Sequence, residues 1–144
     1  MISPSDMLWP CAMQVEVTSE ALAAMRAAVA AAHPREACGI LLGTGGHITH
    51  ARQTRNVHPA PDTHFEIDPQ ALIDAHRAAR LAGAPQVLGY FHSHPVGDAV
   101  PSATDRAGAA GDGRIWAIIA GADVRFWTDG EAGFVALPFA MIDG

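Results

Sequence analysis

The chain has 144 residues, of which 49% are hydrophobic and 17% charged, a composition typical of one soluble domain and not of a disordered segment. Its formal net charge is −6, and its nine basic residues are all arginines that form no basic run, so binding to nucleic acid is not expected. No stretch approaches the roughly 20 apolar residues that cross a bilayer, so membrane insertion is not expected either.

The N-terminal residues 1–12 are predicted to form a tail, followed by one domain over residues 13–144. The tail has neither the basic start nor the apolar core of a secretory signal. Cys11 and Cys38 are too few for a disulfide framework or a four-sulfur zinc site. One bridge between them could form, but two free thiols are favoured, so we expect a cytoplasmic protein.

The first half of the chain is predicted to contain a strand, a helix, a hairpin and a further short strand. The helix has Ser19 as its cap and ends at His33-Pro34, because the residue before a proline avoids helical geometry. The hairpin turns at Gly45-Gly46. The predicted ranges are strand Met13–Val17, helix Ser19–Ala32, and strands Gly39–Gly43, His47–Arg52 and His64–Ile67.

The second half begins with a helix at Asp68-Pro69, a cap followed by proline at the first helical position. The predicted ranges are a helix from Asp68 to near Gly83, strand Gln86–Phe91, a short helix from Ser102 to Gly111, and strands Arg114–Ala120, Val124–Thr128 and Phe134–Leu137. This order predicts an α/β fold, a single-domain α-β-α sandwich with a mixed sheet. No glycine-rich phosphate loop follows any predicted strand.

The residues with the clearest chemistry follow the strand that ends near Phe91. His92 and His94 are two positions apart, so their side chains should project to the same side of the strand end. Asp105, in the first turn of the next helix, would add a carboxylate. Two imidazoles and one carboxylate suit zinc, and three protein ligands leave the fourth position open, as in catalytic zinc sites.

Each part of this pattern also has an ordinary structural interpretation. A His-x-His pair at a strand end is often incidental, and Ser102-x-x-Asp105 alone is a common capping box. Ser93 points away from the two histidines and is expected to have a structural role, while Gly97-Asp98 is interpreted as a turn. The combination with the distant carboxylate of Glu36 favours a functional site.

The combined motif resembles the JAMM metallopeptidases, which are the catalytically competent MPN domains. Their signature is His-x-His, seven residues, Ser, two residues and Asp, and it is matched by His92, His94, Ser102 and Asp105. The segment Glu36–Gly43, EACGILLG, is similar to the family's upstream glutamate and the apolar strand that follows it. The resemblance covers most of the chain and implies a cytidine-deaminase-like fold.

The resemblance also implies a role for each residue of the motif. His92, His94 and Asp105 would bind one zinc ion per chain, Glu36 would hold the attacking water and pass its proton to the leaving amine, and Ser102 would donate a hydrogen bond to the developing oxyanion. The implied activity is hydrolysis of the bond after the C-terminal Gly-Gly of a ubiquitin-like or sulfur-carrier protein. Maturation of a precursor and removal from a conjugate both remain open, as does the oligomeric state.

Four other classes of protein share part of this pattern but fit the sequence less well. A RadC-like protein shares the His-x-His-Pro stretch but follows a helical nucleic-acid module, which residues 1–12 do not supply. A silent MPN-type scaffold typically lacks metal ligands that this chain has. A zinc nucleoside deaminase needs a Pro-Cys-x-x-Cys pair, and a cupin needs a glutamate ligand after its His-x-His; the sequence contains neither.

Overall fold

The structure, a computed structural model, describes residues 14–144. The predicted tail, residues 1–12, lies outside the described residues, as does Met13 of the first predicted strand. The elements are β1 Val15–Thr18, α1 Ser19–Ala32, β2 Cys38–Thr44, β3 His47–Thr54, α2 Pro69–Ala78, β4 Gln86–Ser93, α3 Ala103–Gly108, β5 Ile115–Ala120, β6 Asp123–Gly130, β7 Gly133–Leu137 and β8 Phe139–Ile142.

All eight strands form one mixed sheet in the order β7-β6-β5-β4-β2-β3-β1-β8. The first and last strands of this order, β7 and β8, are separated in the chain by Pro138 alone. Because one residue can span only a short distance, the sheet must curl so that its two edge strands lie close together. Proline has no N–H to donate and interrupts the ladder at this corner, while its carbonyl oxygen accepts a hydrogen bond of 3.1 Å from Val15 N.

Hydrophobic residues pack on both faces of the sheet. Neighbouring residues of a strand point to opposite faces, and in β2 Leu41 belongs to the core around α1, whereas Ile40 belongs to the core beneath α2. The α1 core contains Met25 with Phe91 and Phe126. Helices therefore cover both faces of a mixed sheet, and the predicted α-β-α sandwich is confirmed. Within residues 14–144, none of the helices has the length and apolar character needed to cross a membrane.

Two local predictions near helix α1 and after β3 are wrong. The cap of α1 is Thr18, whose Oγ1 accepts a hydrogen bond of 3.1 Å from Ala21 N, and Ser19 is the first helical residue. The range His64–Ile67 is not a strand, since Ile67 forms only an isolated bridge with Asn56. The backbone on both sides of Phe65 bonds to the Asn56 side chain, and its pairing with the segment after β3 is limited to the two backbone bonds of that bridge.

Three further elements differ from the prediction, and the first is α3, which ends at Gly108 and not at Gly111. Helix α2 ends at Ala78, because Arg80 N and Leu81 N bond to carbonyls three residues earlier and tighten the chain into turns. Strand β8 was not predicted. It is stabilised by parallel pairing with β1 at the opposite end of the chain. The four residues of β8 follow a proline and carry no local signal of this distant pairing.

Candidate metal and catalytic site

The site lies where β4 ends, in the middle of the sheet. Strand β4 runs between β2 and β5, and His92 pairs in register with Cys38 and Ile118. His92 is completely buried, and His94 follows directly after the end of the strand. Asp105 lies in the first turn of α3 and is also buried. A central strand and a capped helix therefore supply the three side chains.

The three side chains meet at one point. Nε2 of His92 and Nε2 of His94 are 3.1 Å apart. Asp105 Oδ2 is 3.1 Å from the His92 nitrogen and 3.0 Å from the His94 nitrogen. Ligands of a tetrahedral zinc ion lie about 3.3 Å from one another, so this spacing fits a small cation. The predicted convergence of His92, His94 and Asp105 is present in the fold.

The hydrogen bonds of His94 and Asp105 orient both side chains. The Nδ1–H of His94 donates to the carbonyl oxygen of Asp98 at 2.7 Å, which leaves the Nε2 lone pair free for a metal. Ser102 and Asp105 form the predicted capping box: Asp105 N donates to Ser102 Oγ, and Ser102 N donates to Asp105 Oδ2, both at 3.0 Å. Asp98 thus takes part through its backbone, while its carboxylate makes no contact with the three side chains within residues 14–144.

The electrostatics of the three groups suit a divalent cation. Burial lowers the pKa of His92 and keeps its ring neutral. A hydrogen bond that the His94 ring donates to the Asp105 carboxylate raises the pKa of His94. Burial alone would raise the pKa of Asp105, but the hydrogen bonds to His92 and His94 outweigh it and hold that pKa well below its usual range. An ionised carboxylate facing two imidazole nitrogens is a donor set that zinc prefers.

Glu36 lies between α1 and β2 and is almost completely buried. Its N–H donates to the carbonyl of Pro61 at 2.7 Å. The next amide, Ala37 N, donates to Ser93 Oγ at 2.8 Å, so the serine between the two histidines fixes the backbone beside Glu36. Burial raises the pKa of Glu36 to about 7, with His94 lowering it and Asp105 raising it by smaller amounts. Its carboxyl group is therefore suited to exchange protons near neutral pH.

Asn56 and Phe65 take part in the site and were not identified from the sequence. The Asn56 side chain donates to the carbonyls of Glu36 and His64, and accepts from the N–H groups of His58 and Glu66. Phe65 stacks on the ring of His92. A single aromatic residue between charged and polar neighbours in a long polar loop was the available signal for Phe65.

Two cavities lie beside the three side chains, one lined by Asp105 and the other by His94, and both are lined by Thr104. The larger, here called the groove, has a volume of about 460 Å³ and reaches Asp105. Its apolar wall consists of Phe65, Ile67, Leu72, Tyr90 and Trp116. The smaller, here called the side pocket, has a volume of about 210 Å³ and is lined by Glu36, His94 and Ser102, together with Asp62 and Val96. An extended substrate could thus pass from the groove across the three side chains into the side pocket.

Comparison with known proteins agrees with this geometry. Residues 18–130 match the family model described as prokaryotic homologs of the JAB domain. The chain is 36% identical over 104 residues to a desampylase of Haloferax volcanii, covering 68% of this chain and 73% of that protein. It is 38% identical over 72 residues to a probable TtuB-protein conjugate cleaving protease of Thermus thermophilus, covering 50% and 47%. A solution structure of a protein from Desulfitobacterium hafniense superposes with a TM-score of 0.77 at 28% identity, covering 91% and 94%.

Proposed function

Because the chain belongs to the prokaryotic homologs of the JAB domain, we propose that it is a zinc-dependent isopeptidase or peptidase. Its substrate is a ubiquitin-like or sulfur-carrier protein, and it hydrolyses the bond after the C-terminal Gly-Gly. The observation that carries this proposal is the convergence of His92, His94 and Asp105 between two cavities, with a buried glutamate at the same place. The names of the two curated relatives support protein conjugates as substrates.

The metal ligands in this proposal are His92, His94 and Asp105, which would hold one zinc ion per chain. The three ligand atoms lie within 4.8 Å of one another and are buried. His94 Nε2 and Asp105 Oδ2 are 3.0 Å apart, so both atoms would be within reach of one bound cation. When bound, zinc lowers the pKa of a coordinated water from about 15.7 to about 7 and makes hydroxide available at neutral pH.

Glu36 is the proton carrier. Its pKa of about 7 allows the carboxylate to accept a proton from the attacking water and to return it to the leaving nitrogen. No ligand atom of Glu36 belongs to the group formed by His92, His94 and Asp105, so its carboxylate remains available for proton transfer. The hydrogen bond between Ala37 N and Ser93 Oγ keeps this backbone at a fixed distance from β4.

Ser102 stabilises the oxyanion. Its Oγ accepts the hydrogen bond from Asp105 N, which orients the side chain and leaves the hydroxyl proton available for donation. Ser102 lines the side pocket next to His94. One such donor aimed at a developing oxyanion is worth about 3 to 4 kcal/mol in the transition state.

The direction of the substrate follows from the position of Glu36. The group that protonates the leaving amine must lie on the amine side of the scissile bond, and Glu36 lines the side pocket. The Gly-Gly tail therefore lies in the groove, whose lining residues include Phe65, Trp116, Gly108, Ala110 and Asp112. A chain without side chains at its last two residues can approach the metal closely. The cytoplasm is part of the proposal, since Cys38 is buried and forms no disulfide within residues 14–144.

The experiment uses purified protein loaded with zinc and two matched substrates. One is a ubiquitin-like protein whose terminal Gly-Gly is joined to the ε-amine of a peptide lysine, and the other carries Ala-Ala at the same two positions. We expect cleavage of the first substrate after Gly-Gly, loss of cleavage after chelation, and recovery when zinc is returned. Failure of the zinc-loaded protein to cleave any Gly-Gly substrate, lysine-linked or linear, would contradict the proposal.

A further inference from the structure

The two histidines of the site are held in place by different contacts. His94 is oriented through its second nitrogen, because Nδ1–H donates to the Asp98 carbonyl at 2.7 Å. Nδ1 of His92 is buried and has no hydrogen-bond partner among the described residues. Metal-binding histidines almost always donate their second N–H to a carbonyl, a carboxylate or water, and that bond fixes the ring. Among the described residues, packing against the ring is the remaining contact that can perform this task for His92.

An aromatic ring provides that contact. The ring of Phe65 lies parallel to the ring of His92, with centroids 4.2 Å apart and an interplanar angle of 15°. On another side Trp116 meets His92 edge-on, at 5.6 Å and 88°. If the imidazole rotated about its bond to Cβ, it would collide with these two rings. The orientation of Nε2 toward the metal position is therefore fixed by packing.

Phe65 is itself held by its backbone. The residue before it, His64, accepts a hydrogen bond of 2.9 Å from Asn56 Nδ2, and the residue after it, Glu66, donates one of 3.0 Å to Asn56 Oδ1. One amide side chain thus fixes both peptide groups that flank Phe65. These two bonds hold the backbone on both sides of Phe65, whose ring stacks on the metal ligand His92.

We propose that Phe65 is a positioning residue for the metal ligand His92, and that its stacked ring replaces the hydrogen bond that other metal-binding histidines make through their second nitrogen. This inference rests on the zinc site of the proposed function. It assigns a role in metal binding to a side chain that also lines the groove, so the metal must be measured without substrate.

The test is the zinc dissociation constant of the whole protein, measured by competition with a chromophoric chelator. Phe65→Leu keeps an apolar side chain but removes the ring, and we expect zinc binding to weaken by about 10- to 100-fold, as for loss of other contacts that orient a ligand. Phe65→Tyr restores a stacking ring and should bind zinc nearly as tightly as the wild type. Phe65→Met is a second variant without a ring and should weaken zinc binding as Phe65→Leu does. It takes the place of Phe65→Leu if the leucine variant folds poorly.

Phe134→Leu is the matched control. Phe134 packs on Trp116 with centroids 4.9 Å apart, one ring removed from His92, so its loss should change the stability of the metal-free protein but not the zinc dissociation constant. Unchanged zinc binding in Phe65→Leu, or equal weakening in Phe134→Leu, would overturn the inference and leave the proposed function intact. A wild-type protein that binds no zinc would overturn both.

Discussion

The side-chain amide of Asn56 donates a hydrogen bond of 3.1 Å to the backbone carbonyl of Glu36. Asn56 is 20 residues away in sequence and lies at the start of the loop whose Pro61 accepts the N–H of Glu36. The loop therefore binds both backbone groups of Glu36, the proposed proton carrier: its N–H through Pro61 and its carbonyl through Asn56. Asn56 fixes the position of Glu36 through the backbone, without contacting its carboxylate within the described residues.

This relationship predicts a loss of turnover in Asn56→Asp. The change keeps the shape and the Oδ1 acceptor but removes both N–H donors, so Glu36 and the loop become free to shift. We expect kcat to fall by up to about 100-fold when the site is saturated with zinc, because small displacements of a reacting group are costly. Zinc binding should weaken as well, since the bond from Asn56 to the carbonyl before Phe65 is also lost. Steady-state kinetics and zinc content check this, with Gln70→Ala, which removes an exposed side-chain amide bond to Asp74, as the control. An Asn56→Asp variant with wild-type kcat would show that Glu36 does not depend on this bond.

Removal of a metal ligand is expected to remove the metal. His92→Ala or Asp105→Ala leaves two protein ligands, too few for a stable zinc site, and elemental analysis should fall from about one zinc per chain to near zero. Asp98→Ala is the control, because Asp98 contacts His94 through its carbonyl oxygen and not through its side chain. Absence of zinc from carefully purified wild type, even after zinc is added, would contradict the assignment of all three ligands.

Loss of the Ser102 hydroxyl should affect both rate and stability. Ser102→Ala removes the proposed oxyanion donor, and we expect kcat to fall by about 100- to 1,000-fold. It also removes the cap of α3, at a cost of about 1 kcal/mol in the free energy of unfolding. Thr18→Ala removes the cap of α1, at the end of that helix opposite to Glu36, and should lower stability without lowering kcat. Equal kinetic effects of the two variants would mean that Ser102 acts only as a cap.

Nucleic-acid affinity separates this account from the RadC-like alternative. With a net charge of −6 and nine scattered arginines, the protein should show no measurable binding to DNA or RNA at physiological salt. Gel-shift titrations at two salt concentrations check this expectation. A salt-sensitive shift at micromolar protein would support the alternative instead.

Much of the fold was predictable because local signals and packing agree. Asp68-Pro69 begins α2, with Asp68 accepting from Gln70 N, and the Gly45-Gly46 turn joins β2 to β3, as predicted. The family resemblance is confirmed by the family model over residues 18–130. The motif spacing was sufficient to predict that the side chains of His92, His94 and Asp105 meet near Ser102. A strand end and a helix start determine where those side chains point.

Other features depend on contacts between distant parts of the chain and were not predictable locally. Strand β8 forms only by pairing with β1. The segment around Phe65 has strand-like residues, but beside its bonds to the Asn56 side chain it makes only the isolated bridge between Asn56 and Ile67, and no ladder forms. The stacking of Phe65 on His92 likewise requires knowledge of where the loop from β3 returns to the sheet.

The most direct test of the central claim is the Glu36→Gln variant, measured for zinc content and cleavage rate in the same preparation. The amide has nearly the same shape but cannot accept or return a proton, so we expect zinc content and fold to be retained. The cleavage of a lysine-linked Gly-Gly substrate should fall by about 100- to 10,000-fold. Wild-type cleavage by Glu36→Gln would remove Glu36 from the mechanism, and loss of zinc would make Glu36 a ligand; either result would contradict the account.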